Sequence, residues 1–160
     1  TIESIISTMV DKFWSVYSLR WKVREKEIGF STNEIITLAS IIEKETAAPD
    51  ERPIISAVFH NRLKSGMKLE TDPTVIYGIK NFNGNITRKD LTDITPYNTY
   101  IIDRLPPGPI ASPGYKSIEA ALYPAETPYL YFVAKNDGTH FFSTNLKDHN
   151  KAVKKYQLRK

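Results

Sequence analysis

The chain of 160 residues contains no cysteine, which excludes a disulfide framework, a thiolate-bound metal and a cysteine nucleophile together. Its three histidines, His60, His140 and His149, are far apart and lack the i, i+4 spacing with which a helix face grips zinc, so no metal site is expected. They read as surface or structural residues. No apolar run approaches the roughly 20 residues that a bilayer-crossing helix needs, and the first residues lack a basic segment followed by an apolar one. There is no G-x-S-x-G elbow, no phosphate-binding loop and no G-x-G-x-x-G, so hydrolase triads, nucleotides and dinucleotides lack their signatures and no cofactor is expected. Internal repeats and low-complexity tracts are also missing. The triplet NIT at 85–87 matches a glycosylation acceptor, a pattern too common by chance to carry weight.

What is present is the composition of an ordinary globular protein, 41% hydrophobic and 25% charged. A chain of this length is expected to form one domain over residues 1–160, burying about two-thirds of the surface its unfolded form exposes. The net charge of +4 points to an acidic partner: nucleic acid, an anionic membrane surface or an anionic glycan. Positive residues cluster at 20–26 and 147–160, where solvated helix faces are the ordinary explanation. A nucleic-acid-binding role would rest on the basic C-terminal segment alone, with no reading motif, and no nucleic-acid partner is expected.

The periodicity predicts mainly helices. Ile2, Ile5, Met9, Phe13, Val16 and Tyr17 recur at helical spacing from almost the first position, as in a piece taken from a longer protein. A second helix runs to about Lys26 and ends near Gly29. Ser31 with Glu34 three residues on is a capping box, and the apolar periodicity that follows ends near Ala47, ahead of Pro49. Another helix starts around Asp50 with Pro53 in its first turn and stops at Gly66, forming an antiparallel pair with its predecessor. Residues 67–116, rich in Pro, Gly, Asn and Thr, read as a long loop region forming the wall of a groove. SIEAALYP is a short helix, Tyr129 to Ala134 and THFFS are strands joined at NDG, and Asn145 or Asp148 opens a last basic helix. The fold class expected is α+β, mainly helical with a small antiparallel hairpin.

The stretch LASIIEKETA, residues 38–47, is the candidate for chemistry. On a helical projection Ile35, Leu38, Ala39 and Ile42 cluster on one face, with Thr37, Ser40 and Lys44 opposite. Glu43 and Glu45 fall on the flanks of the apolar arc. Desolvation can lift a glutamate toward 6 to 7, roughly, where it can donate a proton at neutral pH, as glycosidic bond cleavage requires. The competing explanation is that both acids pair with nearby Lys or Arg.

Several segments resemble the endolytic murein transglycosylase family, also called YceG-like: LASIIEKET, VFHNRLKSGMKLETDPTVIYGI, PYNTY, LPPGPIASPG and TPYLYFVAKNDGTHFFSTNLKDHNKAV. They run in order from about residue 20 to residue 156. The resemblance implies a lytic transglycosylase acting on bacterial peptidoglycan in cell wall assembly and glycan chain termination, with a lysozyme-like site built around the glutamate helix. Glu43 falls on the family's proposed catalytic glutamate, while the roles of Glu45 and Glu70 stay open. Such an enzyme needs one acid, because the C6 hydroxyl of N-acetylmuramic acid replaces water as nucleophile and leaves a 1,6-anhydro end. Members are anchored in the inner membrane through an N-terminal helix, absent from this sequence, with the catalytic part outside the cytoplasm. Expected partners are peptidoglycan glycan strands and the synthases that make them. The alternative is a non-catalytic peptidoglycan-binding module. Asp72, Thr74, Tyr77, Asn98, Thr99 and Tyr100 could line the sugar subsites, or could equally be loop scaffolding and core fillers.

Overall fold

The computed structural model describes residues 1–158. The helices are α1 (Ile2–Val16), α2 (Leu19–Glu27), α3 (Thr32–Glu45), α4 (Arg52–Lys64), α5 (Asp72–Gly78), α6 (Arg88–Thr92), α7 (Tyr115–Leu122) and α8 (Leu146–Tyr156). Among the described residues a single hairpin, β1 (Tyr131–Ala134) with β2 (His140–Ser143), precedes α8. The fold is thus α+β and mainly helical, as the sequence pattern indicates.

The architecture is organised by α3. Its start is set by the expected capping box: the Glu34 amide donates to Ser31 Oγ at 3.3 Å and the Ser31 amide to Glu34 Oε2 at 2.8 Å. Its end is set at Thr46, which turns to extended geometry ahead of Pro49. Residues 37 to 42 are all buried, so the polar face expected at Thr37 and Ser40 does not meet solvent. Both lie in the interior, with Ser40 Oγ donating to the Thr37 carbonyl at 2.7 Å and accepting from the Ile110 amide at 3.0 Å. A helix covered on every side is the central element of its domain. At Ser40 the amphipathic pattern missed this because a serine can spend its hydroxyl locally and be buried at little cost; the Thr37 hydroxyl is buried without a hydrogen-bond partner among the described residues.

Around α3 lie α7, its most extensive neighbour, with α2, α4 and α5. The core joins Tyr17, Trp21, Ile35, Leu38, Ile42, Ile55, Phe59, Leu69, Ile118 and Leu122. Before α4 the chain makes one 3-10 turn, Pro49–Glu51, so the helix begins two residues later than the sequence suggests. Gly66, at φ 67°, ends its C-terminal turn in a conformation that side chains resist. In α1 no residue is buried: Ile2 is 74% and Met9 67% exposed, and only Phe13 and Val16 at its end reach the core.

The region expected as loop over 67–116 contains α5 and α6. Pro73 supplies a pre-set φ in the first turn of α5, and a second capping box, Thr87 with Asp90, starts α6. Both helices are too short to show a hydrophobic period. The hairpin pairs Tyr131 with Ser143 and Ala134 with His140, turning through Asn136 (φ 65°) and Gly138 (φ 87°). It packs on α8 and α4. Asn145 caps α8 by accepting from the Asp148 amide at 2.9 Å. Arg159 and Lys160, the last charges of the basic C-terminal cluster, lie outside the described residues.

Replacing Ser31 by Ala removes the cap on the central helix and is expected to cost about 1 kcal/mol. Urea denaturation should show a lower midpoint with an unchanged slope.

Candidate active site

The last turn of α3 brings two carboxylates out of the core, and their surroundings differ. Glu43 Oε2 accepts from Ser117 Oγ at 2.6 Å and from the Gly114 amide at 3.0 Å, while Arg52 approaches Oε1 at 3.7 Å. The carboxylate thus satisfies the amino end of α7 and ties the LPPGPIASPG loop to the central helix. These partners favour the charged form: the Ser117 hydrogen bond foremost, and the Gly114 amide and Arg52 with it, hold Glu43 below the usual carboxylate range against a smaller opposing effect of burial. Of the two explanations open at Glu43, these contacts favour pairing: they hold it toward the charged form, hydrogen-bonded and ion-paired.

Glu45 has the opposite environment. Among the described residues it has no hydrogen bond and no cationic partner, and it is half-buried in a cleft of about 450 Å³. Desolvation, reinforced by the charge of Asp72, pushes its carboxyl up to about 8. Near neutrality it is a protonated acid facing a cavity. Around it stand Arg62, Glu70, Asp72, Tyr100, Phe132, His140 and His149.

The wall of this cleft is built from loop and hairpin pinned by polar contacts. Arg62, buried on α4, donates through Nε to the Leu130 carbonyl at 2.7 Å and through Nη1 to the Lys68 and Leu69 carbonyls. Its Nη1 also pairs with Glu70 Oε2 at 3.1 Å. Glu70 sits at φ 54°, a left-handed conformation costing a side-chain residue about 1 kcal/mol or more. The Arg62 pair and the bond from its own amide to the Thr99 carbonyl, 3.1 Å, hold it there. On the hairpin side, His140 Nδ1 lies 2.6 Å from Glu51 Oε2 and the His140 amide donates to Oε1 at 2.9 Å. This clamps β2 to the turn that follows α3. His149 stacks near Tyr131, its Nδ1 buried without a partner among the described residues. Burial, with the charge of Arg62, lowers its proton affinity and keeps it neutral near pH 7.

The residues expected to line sugar subsites divide into three groups. Asp72 and Tyr100 face the Glu45 cleft, joined by a bond from the Tyr100 hydroxyl to Asp72 Oδ1 at 2.7 Å. Thr74, Asn98 and Thr99 are buried behind the wall. Asn98 Nδ2 donates to the Asp90, Leu91 and Asp93 carbonyls, and the hydroxyls of Thr74 and Thr99 meet at 2.8 Å. These are the contacts of scaffolding. Tyr77 is exposed and rests on Tyr97, 4.7 Å between ring centres, and it is not among the residues lining the cleft.

Sequence reasoning placed His140 and His149 as surface or structural residues and gave Glu45 and Glu70 no role. Arg62 it left unremarked. Their convergence depends on contacts across long chain separations that no local pattern encodes. His60 fits the structural expectation, with Nε2 2.9 Å from the Ala121 carbonyl. The two largest of the other hollows, of about 740 and 700 Å³, lie at the loop over residues 102–107 and beside Trp21 and Tyr115. Glu43 and Glu45 line neither.

A family model described as the YceG-like family matches residues 1–155. An endolytic murein transglycosylase of Bacillus subtilis is 44% identical over 156 residues, covering 98% of this chain and 43% of that protein. One of Streptococcus pneumoniae is 34% identical over 162 residues, covering 96% and 29% respectively. A solved structure of a yceG-like protein from Listeria monocytogenes is 42% identical with a TM-score of 0.83, over 94% of this chain and 48% of that one. The chain spans less than half the length of each of these relatives.

The two carboxylates should respond to mutation in opposite ways. Glu43→Ala leaves the buried Ser117 hydroxyl and the Gly114 amide without their acceptor, an expected loss of about 1–3 kcal/mol in chemical denaturation. Because folding lowers the Glu43 pKa, the contribution of its charge is present above the ordinary 4.5 and is lost as pH falls through the folded value. Glu45 has the reverse sign: between 4.5 and about 8 the folded state keeps a proton that the unfolded chain has released, so stability falls as pH rises through that window. Glu45→Gln should therefore raise the melting temperature relative to the parent at about pH 9, and little below pH 4.5 or so.

Proposed function

The chain belongs to the YceG-like family, and on that premise we propose that residues 1–160 form one catalytic domain that cuts peptidoglycan glycan strands as a lytic transglycosylase. One observation carries the reading: a carboxylic acid poised to remain protonated at neutral pH, without a hydrogen-bonding partner of its own, lines a cleft of sugar-sized dimensions. The names carried by its relatives, endolytic murein transglycosylases, supply the substrate class.

In this proposal the proton donor is Glu45. Glu43, the residue on which the sequence expectation fell, is already engaged with Ser117, Gly114 and Arg52, contacts that favour its charged form. Glu45 protonates the oxygen leaving C1 of N-acetylmuramic acid. The C6 hydroxyl of the same sugar then closes onto C1 and returns its proton to the Glu45 carboxylate. One glycosidic bond breaks, one intramolecular C–O bond forms, and no water is consumed. An internal nucleophile has a high effective concentration, so the protein's task is to hold the sugar ring in shape and exclude water. General acid and base assistance of this kind is worth roughly 10² to 10⁴ in rate.

The polar wall that holds Asp72 and Tyr100 is the binding surface for the cleaved sugar, and the chain's positive charge suits an anionic polymer. The setting for such a reaction is the outer side of the bacterial cytoplasmic membrane, where glycan strands are made, with the synthases as working partners. Among the described residues no helix is long and apolar enough to cross a membrane.

Digestion of purified peptidoglycan followed by mass spectrometry tests the reading, since anhydro and reducing ends differ by one water. Parent protein and Glu43→Gln are expected to release anhydro products, the latter with reduced stability, whereas Glu45→Gln should lose at least about 10²-fold. Anhydro products undiminished in Glu45→Gln would remove the assignment of the donor; glycan binding without any cleavage by the parent would leave a non-catalytic binding module. Turnover should also fall as pH rises through about 8, where Glu45 loses its proton. Arg62, Glu70, Asp72, Tyr100, His140 and His149 are the ionisable groups around it that would shape this limb.

A further inference from the structure

Asp72 has a feature that proton donation by Glu45 does not use. It opens α5, its Oδ1 takes the Tyr100 hydroxyl at 2.7 Å, and Oδ2 has no hydrogen-bond partner among the described residues. The pair is held from behind: the Tyr100 amide donates to Asn98 Oδ1 at 3.0 Å, and Asn98 is itself fixed by three backbone carbonyls. A carboxylate oriented in this way presents one fixed acceptor oxygen to the cleft that Glu45 lines.

The chemistry of the sugar limits what that oxygen can accept. In a muramic acid residue within a strand, O3 carries the lactyl ether and O4 the next glycosidic bond, so neither is a donor. On the sugar ring itself the remaining donors are the C6 hydroxyl and the N–H of the 2-acetamido group, the lactyl amide N–H belonging to the peptide stem. Under the proposed reaction the C6 hydroxyl passes its proton to Glu45. Resting on that reading, we infer that Asp72, aligned by Tyr100, receives the 2-acetamido N–H of the cleaved sugar and makes this N–H a requirement for efficient turnover. Tyr100 is then a positioning residue acting through Asp72. Burial and the Asp72 bond hold its hydroxyl well above the ordinary tyrosine range, so it remains a donor. An acceptor whose ligand lacks the donor is left desolvated and unpaired, which is how a site rejects an otherwise isosteric substrate.

The test uses two synthetic glycan oligomers, one natural and one with the 2-acetamido group of the cleaved muramic residue replaced by 2-acetoxy. The analogue keeps the carbonyl and the shape and lacks only the N–H. Parent protein should turn over the natural oligomer about 10- to 100-fold faster than the analogue. Asp72→Ala should slow the natural substrate and bring the two rates within about threefold of each other, and Tyr100→Phe should give an intermediate ratio. A general loss of structure would lower both rates without changing their ratio, so the ratio, read beside the melting temperature, reports the contact itself. A parent ratio near one, or a parent-like ratio in Asp72→Ala, overturns the inference. A parent protein that yields no anhydro product from the natural oligomer overturns the proposed reaction and the inference with it.

Discussion

Everything at the site follows from a helix that is buried on all sides and ends in two carboxylates. A charge leaving the interior must be compensated where it emerges or neutralised by a proton. At Glu43 the chain meets this with the Ser117 hydroxyl, the Gly114 amide and the Arg52 guanidinium. At Glu45 it supplies none of these and adds the negative charge of Asp72 close by. One residue separates the glutamates, yet one is held as an anion and the other as an acid. The same division of labour between neighbouring carboxyl groups, set by surroundings alone, is what general acid catalysis requires.

The paired glutamate has its own importance. By binding the amino end of α7 and the loop that precedes it, Glu43 joins the central helix to its most extensive neighbour. The loop wall across the cleft is rigid for related reasons. Asn98, Thr74 and Thr99 spend their polar groups on backbone or on each other, and Arg62 spends its own on backbone carbonyls and Glu70, leaving Asp72, Glu70 and Tyr100 along the cleft. The left-handed backbone at Glu70 is tolerated because that network over-determines it. Sites built on loops lose precision unless the loops are pinned in this manner.

Much of the architecture was legible in the chain. The capping box at Ser31, the NDG hairpin and the Asn145 cap are local devices that act through neighbouring atoms, so a sequence pattern reports them faithfully. The helices α5 and α6 were hidden because each is shorter than two turns or so and carries no period. The burial of Ser40 was hidden for a different reason, since a hydroxyl satisfied by its own helix is compatible with either face.

The sequence by itself determined the helical class, the family and the fact that acids sit on the edge of an apolar arc, because propensity, caps and long ordered motifs are properties of neighbouring residues. It could not rank Glu43 against Glu45. Their ionisation depends on Ser117, Gly114 and Arg52 at one and on Asp72 at the other, the first two 74 and 71 residues away along the chain. Electrostatic environment is a sum over groups that only the folded chain brings together, and that sum decided which carboxyl keeps its proton.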